Sequence, residues 1–254
     1  MVTGTVSAET AETWLRRWDA QQERYVADRE ERFAVLRDVV DLALADVPDP
    51  VVLDLGCGPG SLAARLHERL PHARIIGIDA DPLLLGLARA RYGNRIEWLD
   101  ADLARSTWQH EVPDVVHAAV STTALHWLAT DRLVALYRVL AERLAPGGVL
   151  VNGDHLGLSG ATLHGLARAV RDRRAQRAGV LGNEEWRAWW DAVLAEPEFA
   201  GLARERADRQ QADHNGHGNG LTVAAHAELL RAAGFAEVAP VWQVGDDHVL
   251  VAVR

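Results

Sequence analysis

The stretch VVLDLGCGPGSLAARL, residues 51–66, constrains the fold of this chain more than any other. Val51, Val52, Leu53 and Leu55 form the short apolar run expected of a strand buried on both faces. Gly56, Gly58 and Gly60 follow on alternate residues, and Ser61 opens an apolar-periodic segment that predicts a helix. Glycine permits the sharp strand-to-helix turn and lets a ligand approach the backbone. The free N–H groups of the following helix then point at that ligand. Such a unit belongs to an open α/β sheet.

The rest of the chain extends this pattern. Residues 9–44 read as two helices around a polar link, with Trp14, Leu15 and Trp18 on one face and Phe33, Leu36, Val39 and Val40 on another. Strands are expected at 51–55, 74–78, 95–99, within 112–120 and at 149–152, with helices between them and a turn at Ala145-Pro146-Gly147-Gly148. This alternation predicts a doubly wound, mostly parallel sheet with helices on both faces. Residues 156–221 hold helical segments but no strand, and end in a polar, glycine-rich loop. A helix at 223–233 precedes two apolar runs around Gly245-Asp246-Asp247, which read as an antiparallel hairpin on the sheet edge. The expected organisation is an N-terminal helical lid (1–46), a cofactor-binding core (47–155), a helical insertion capping the substrate (156–221) and a segment completing the core (222–254).

Ligands of open α/β sheets collect at the carboxyl ends of the strands, where strand order reverses. The strand ends therefore supply the candidates. Asp79 follows the second strand, with Ala80 after it, and a carboxylate there can accept from both hydroxyls of a ribose. Asp102, after the third strand, can accept from the amino group of an adenine, with Leu103 beside the ring. After the fourth strand, Ala124-Leu125-His126-Trp127 joins a polar mouth to an aromatic wall. Taken alone, the glycine turn serves a nicotinamide or flavin site or an S-adenosylmethionine site. A nicotinamide fingerprint would place its third glycine at position 61, which is Ser.

Taken in order, VLDLGCGPG, GIDADP, DADL, ALHWL and LAPGGVL resemble the class I S-adenosylmethionine-dependent methyltransferases. The likeness is greatest to their small-molecule group, which includes trans-aconitate methyltransferase and has an ALQW-like stretch after the fourth strand. The resemblance covers residues 51–154 and the last strands. It implies a seven-stranded Rossmann-like sheet whose last strand runs antiparallel. It also implies that Gly56, Gly58 and Gly60 pack on the methionine part of S-adenosyl-L-methionine, that Asp54 orients their loop, and that Ser121 lines the methionine side. The implied activity is methylation of a small molecule, with O-methylation of a hydroxyl or carboxylate by in-line displacement as the leading reading. N- or C-methylation, a non-catalytic binding module and a nicotinamide-dependent oxidoreductase are the alternatives.

Methyl transfer to a hydroxyl is assisted by a base, whereas an ionised carboxylate needs none. His126 is the first candidate, and it stands where the resembled group often has Gln. His155, just beyond the fifth strand, is the second. Substrate contacts are expected from Tyr25 and Arg29 of the lid, from Trp127, and from Trp189 of the insertion, where Trp186, Trp189 and Trp190 recur at helical spacing; packing in a core is the other reading of that stripe. His214 and His217 are expected in a loop closing over the substrate, and their spacing does not make a metal site.

The net charge of −9, with all 27 basic residues arginine, argues against nucleic acid as partner. No apolar run approaches a membrane span and no basic-then-apolar leader is evident, so a cytoplasmic protein without a membrane partner is expected, as monomer or homodimer. The single cysteine, Cys57, sits in the glycine turn as a small packing residue, without a disulfide.

Overall fold

The computed structural model describes residues 6–212 and 219–254. It contains one seven-stranded sheet of order β3-β2-β1-β4-β5-β7-β6. The strands are β1 (Val51–Leu55), β2 (Arg74–Asp79), β3 (Glu97–Asp100), β4 (Val116–Thr122), β5 (Leu144–His155), β6 (Glu237–Val244) and β7 (Asp247–Val253). The first five pair in parallel, whereas β7 runs antiparallel to both β5 and β6. The hairpin thus inserts its second strand into the sheet and leaves β6 at the edge. Strand order reverses between β1 and β4, and a crevice opens there beyond their carboxyl ends.

Helices cover both faces. On one, α5 (Thr130–Arg143) and α9 (Val223–Ala233) pack Leu136, Leu140 and Leu230 onto Leu53, Leu55, Leu150 and Leu250. On the other, α2 (Arg29–Ala43) and α3 (Ser61–Arg69) bring Phe33, Leu36, Leu62 and Leu66 against Val52, Val120 and Val151. The alternation of each strand divides its residues between these two cores. Local chemistry sets the helix starts: Ser7 caps α1 (Ala8–Glu23) by accepting from the Thr10 N–H, and Asp81 caps α4 (Pro82–Tyr92) by accepting from Leu83 and Leu84, with Pro82 in the first turn.

The strand β5 differs from expectation. Ala145-Pro146-Gly147-Gly148 does not precede it as a turn but forms a bulge inside it. Val116 pairs with Leu144 and Ala118 with Val149, so the additional residues loop out. Gly147, at φ +77°, permits the bend, and its N–H donates to the Arg254 carbonyl at 3.0 Å.

The segment after β5 consists of α6 (Ala161–Ala178), α7 (Trp186–Leu194) and α8 (Ala200–Ala212). With α1 and α4 it builds a third cluster around Trp14, Leu83, Trp189, Val193 and Phe199. Trp189 is fully buried at its centre, edge-on to Trp14 and Trp18 at ring distances of 5.9 and 4.9 Å, and donates its indole N–H to the Trp14 carbonyl. Trp189 is therefore a core residue and not a substrate contact. Replacing it by alanine is expected to lower stability by about 3–5 kcal/mol in denaturant unfolding, since the indole volume cannot be refilled.

Candidate functional site

The crevice at the strand ends holds two hollows that meet at Asp79. The first, of about 590 Å³, is floored by Gly56 and Gly58 and walled by Trp18, Tyr25, Trp127, Trp186 and Trp190, with Thr123, His126 and His155 at its far end. The second, of about 740 Å³, lies over the ends of β2 and β3 between Ala80, Asp102 and two arginines of α8. Gly56 and Gly58 both have positive φ, +69° and +54°. A Cβ on Gly56 would lie 2.3 Å from that of Ala124, so this glycine lets the loop after β4 close onto the turn. A Cβ on Gly58 would meet nothing nearer than Leu84 and Trp18, at 3.9 and 4.0 Å, and would enter the first hollow. Thr123, a β-branched residue held at φ +50°, is the one non-glycine with positive φ among the described residues.

The far end of the first hollow is built around a buried carboxylate. Asp154, fully buried on β5, takes His126 Nδ1 at 2.9 and 3.0 Å and the His155 N–H at 2.9 Å. Burial alone would push the Asp154 carboxyl up, but the hydrogen bond and charge of His126, together with Arg32 and His155, hold it below the usual carboxylate range. An ionised carboxylate only accepts, so Nδ1 of His126 carries a proton toward Asp154, and in the neutral tautomer Nε2 is the acceptor. His155 differs: burial, then the charges of Arg32 and Arg171, push it down to about 4. It is a neutral imidazole near neutral pH, and its Nε2 has no partner.

Several expected residues lie under the crevice instead of in it. Asp54 is fully buried beneath the glycine turn, and burial pushes its carboxyl up to about 7 against the backbone N–H of Ala63, which lowers it. Ser121 is fully buried and donates to the Leu55 carbonyl at 2.8 Å. Gly60 packs against the Trp98 and Tyr92 rings, where a Cβ would lie 2.4 Å from Trp98. Leu103 packs onto the main core. These four shape the site and do not line it. Arg29 does line the first hollow, but it is buried and ion-paired with Asp19 at 2.8 Å, so it is not a free substrate clamp. His214 and His217 lie outside the described residues. Among the described residues, no three His, Cys, Asp or Glu side chains are grouped to hold a metal ion, and no helix is long and apolar enough to cross a membrane.

Asp79 is only partly exposed. Its Oδ2 accepts from the Gly58 N–H at 2.7 Å and its Oδ1 from Asp81 at 2.8 Å, while burial pushes the carboxyl up to about 6. The second strand end and the glycine turn are thus tied together directly. Among the residues of this site that escaped sequence reasoning are Asp154, Thr123 and Trp18 around the first hollow and Arg206 and Arg209 on the second. Asp154 had one available signal, its place at the carboxyl end of a strand beside His155.

A family model described as a methyltransferase domain matches residues 52–148. A trans-aconitate 2-methyltransferase of Acidovorax ebreus is 31% identical over 223 residues, covering 85% of this chain and 79% of that protein. The chain belongs to the class I S-adenosylmethionine-dependent methyltransferases. A trans-aconitate 2-methyltransferase of Methylobacterium radiotolerans is 35% identical over 199 residues, 78% of this chain and 62% of that protein. The chain spans between 49% and 62% of the length of three such relatives, from Azoarcus, Methylobacterium radiotolerans and Streptomyces coelicolor. The fold is shared with magnesium protoporphyrin IX methyltransferase of Synechocystis solved with SAH, at a TM-score of 0.56 and 18% identity over 95% of this chain and 94% of that one.

S-adenosylmethionine is the cofactor of this methyltransferase family, and the oxidoreductase alternative is set aside. The crevice fits such a group: Gly58 leaves backbone open to the first hollow, and Asp79 connects it with a second hollow that has ample room for a nucleoside.

One consequence of the His155 environment is measurable. Between about pH 4 and 6.5 the unfolded chain protonates this imidazole while the folded chain keeps it neutral. The unfolded state therefore binds more protons, and stability falls as pH drops through that window. His155→Gln is expected to lose less stability than wild type from pH 6.5 to 4, by at most about 1.4 kcal/mol per pH unit in urea unfolding.

Proposed function

We propose that this chain transfers a methyl group to a hydroxyl oxygen of a small, flat acceptor held in the first hollow, with His126 as the general base. The observation that carries this reading is the His126–Asp154 pair, opening on the same hollow as Gly56 and Gly58. When bound, S-adenosylmethionine supplies an electrophilic methyl carbon on a sulfonium, open to in-line displacement. The chain's own residues then have separate tasks. Gly56 and Gly58 admit the amino-acid end to the turn, while Asp79, Ala80 and Asp102 border the nucleoside end. Trp127, Trp186 and Trp190, with Tyr25, present aromatic faces to the acceptor and exclude water. His126 Nε2 accepts the hydroxyl proton, and Asp154 stabilises the resulting imidazolium. The N-terminal helices serve as the lid and the inserted helices as the cap.

The names of the relatives favour a second reading, in which the acceptor oxygen belongs to a carboxylate. That reaction needs no proton removal, and His126 would then orient the acceptor.

Two measurements test these assignments. In calorimetry the protein is expected to bind S-adenosylmethionine and S-adenosylhomocysteine, and Asp79→Ala to weaken both; binding of neither rejects the reading. With labelled cofactor and panels of hydroxylated aromatics and small carboxylic acids, label is expected on a hydroxyl. His126→Gln should lower turnover about a hundredfold or more with cofactor affinity retained. Label released by mild base as an ester, at a rate His126→Gln leaves intact, selects the carboxylate reading. Cofactor binding without label on any acceptor selects a binding module.

A further inference from the structure

The second hollow is closed by residues outside the family's motifs. Four carboxylates, Asp79, Asp81, Asp100 and Asp102, face it from the ends of β2 and β3, with Glu111 also on its rim and Arg105 beside Asp102 at 3.2 Å. Left alone they would repel one another and favour an open mouth. Two arginines of α8 neutralise one from each strand end. Arg209 takes both oxygens of Asp100, at 2.6 and 2.8 Å, and also donates to the Ala80 carbonyl at 2.9 Å, so it bridges the ends of β2 and β3. Arg206 donates to Asp81 at 2.6 Å while its guanidinium lies 3.7 Å from the ring centre of Trp190, a wall of the first hollow. A bidentate, planar fork does what a lysine point charge would not.

The helix is seated for this purpose. Leu202 of α8 fits over Gly86 of α4, where any Cβ would lie 2.4 Å from the leucine methyl. The absence of a side chain at Gly86 brings α8 down onto the strand ends.

We infer that Arg206 and Arg209 of the inserted helix α8 form the outer wall of the adenosyl site and hold the cofactor's nucleoside half. On the side of the ribose hydroxyls and the adenine amino group stand Asp79, which accepts from the Gly58 and Asp81 N–H groups, and Asp102, which meets Arg105 at 3.2 Å and not an arginine of α8. It also connects nucleoside and acceptor sites physically, because Arg206 touches a residue of each. This inference rests on the cofactor reading proposed above.

The test uses two probes, S-adenosylhomocysteine and 5′-methylthioadenosine, which share the adenosyl group but not the amino-acid end. Arg206→Gln and Arg209→Gln are each expected to weaken both probes by the same factor, about tenfold. Gly86→Leu, which touches neither hollow but lifts α8, should do likewise. In wild type, S-adenosylhomocysteine should slow amide exchange over residues 200–209; this readout needs no variant to fold. Affinities of both arginine variants within about twofold of wild type, with unchanged melting temperatures, overturn the inference. So does a loss confined to S-adenosylhomocysteine, or an absence of protection in α8. Wild-type protein that binds neither probe overturns the cofactor reading and this inference with it, whereas binding that ignores α8 overturns the inference alone.

Discussion

A guanidinium removed from water costs several kcal/mol unless its protons find acceptors, and Arg32 is placed on those terms beneath the crevice. It is fully buried, donates to Asp247 of β7 at 2.8 Å and to Thr122 of β4 at 2.8 Å, and leaves its Nε without a partner. Gly153 of β5 makes the room, since a Cβ there would lie 3.1 Å from the Arg32 side chain. One cation of α2 thereby touches three strands. It fixes the N-terminal helices to the sheet and sets the end of β4, from which Thr123 and His126 follow. Its charge also helps keep Asp154 ionised and His155 neutral. The two imidazoles next to Asp154 are thus given different surroundings: one is hydrogen-bonded to its carboxylate, the other is half-buried near Arg32 and Arg171.

Much of the cofactor end was legible in the sequence because its determinants are local. A buried strand followed by alternating glycines specifies the turn, and a carboxylate ending the next parallel strand lies beside it by topology alone. Gly56, Gly58, Asp79, Ala80 and Asp102 accordingly line the crevice. Proximity in a motif is not exposure, however. Asp54 and Ser121 belong to the same strands yet are fully buried, because a strand directs its side chains to the two faces of the sheet, which helices cover on both sides. The same alternation buries Asp154 under His126, and the bulge at 145–148 precedes the residues whose register decides this. That bulge reads in sequence as an ordinary turn.

The aromatic wall of the first hollow was less legible because it is assembled from segments far apart in the chain. Helical spacing marks Trp186, Trp189 and Trp190 as neighbours but does not say which neighbour the core takes. Trp14, Trp18 and Phe199 settle that by closing on Trp189, which leaves Trp186 and Trp190 for the hollow. Arg29 likewise offers a charge to the substrate until Asp19, ten residues earlier, claims it.

Arginine pairs decide how the two covers of the crevice behave. Arg17 binds Glu184 at 2.6 Å, Arg24 binds Glu185 at 2.9 Å, Arg174 binds Asp28 at 2.5 Å, and the Trp186 N–H donates to the Tyr25 hydroxyl at 3.0 Å. Each contact joins the N-terminal helices to the insertion, and the tryptophan cluster packs the same two segments together. The covers are therefore one body, not two independent flaps. Such pairs stay in contact with solvent, and a surface pair contributes about 0–1 kcal/mol and weakens with salt. The aromatic cluster carries the adhesion, and the ion pairs set its register. The aromatic wall of the first hollow opposite Trp127 is thereby fixed in position from α1, α7 and α8 together.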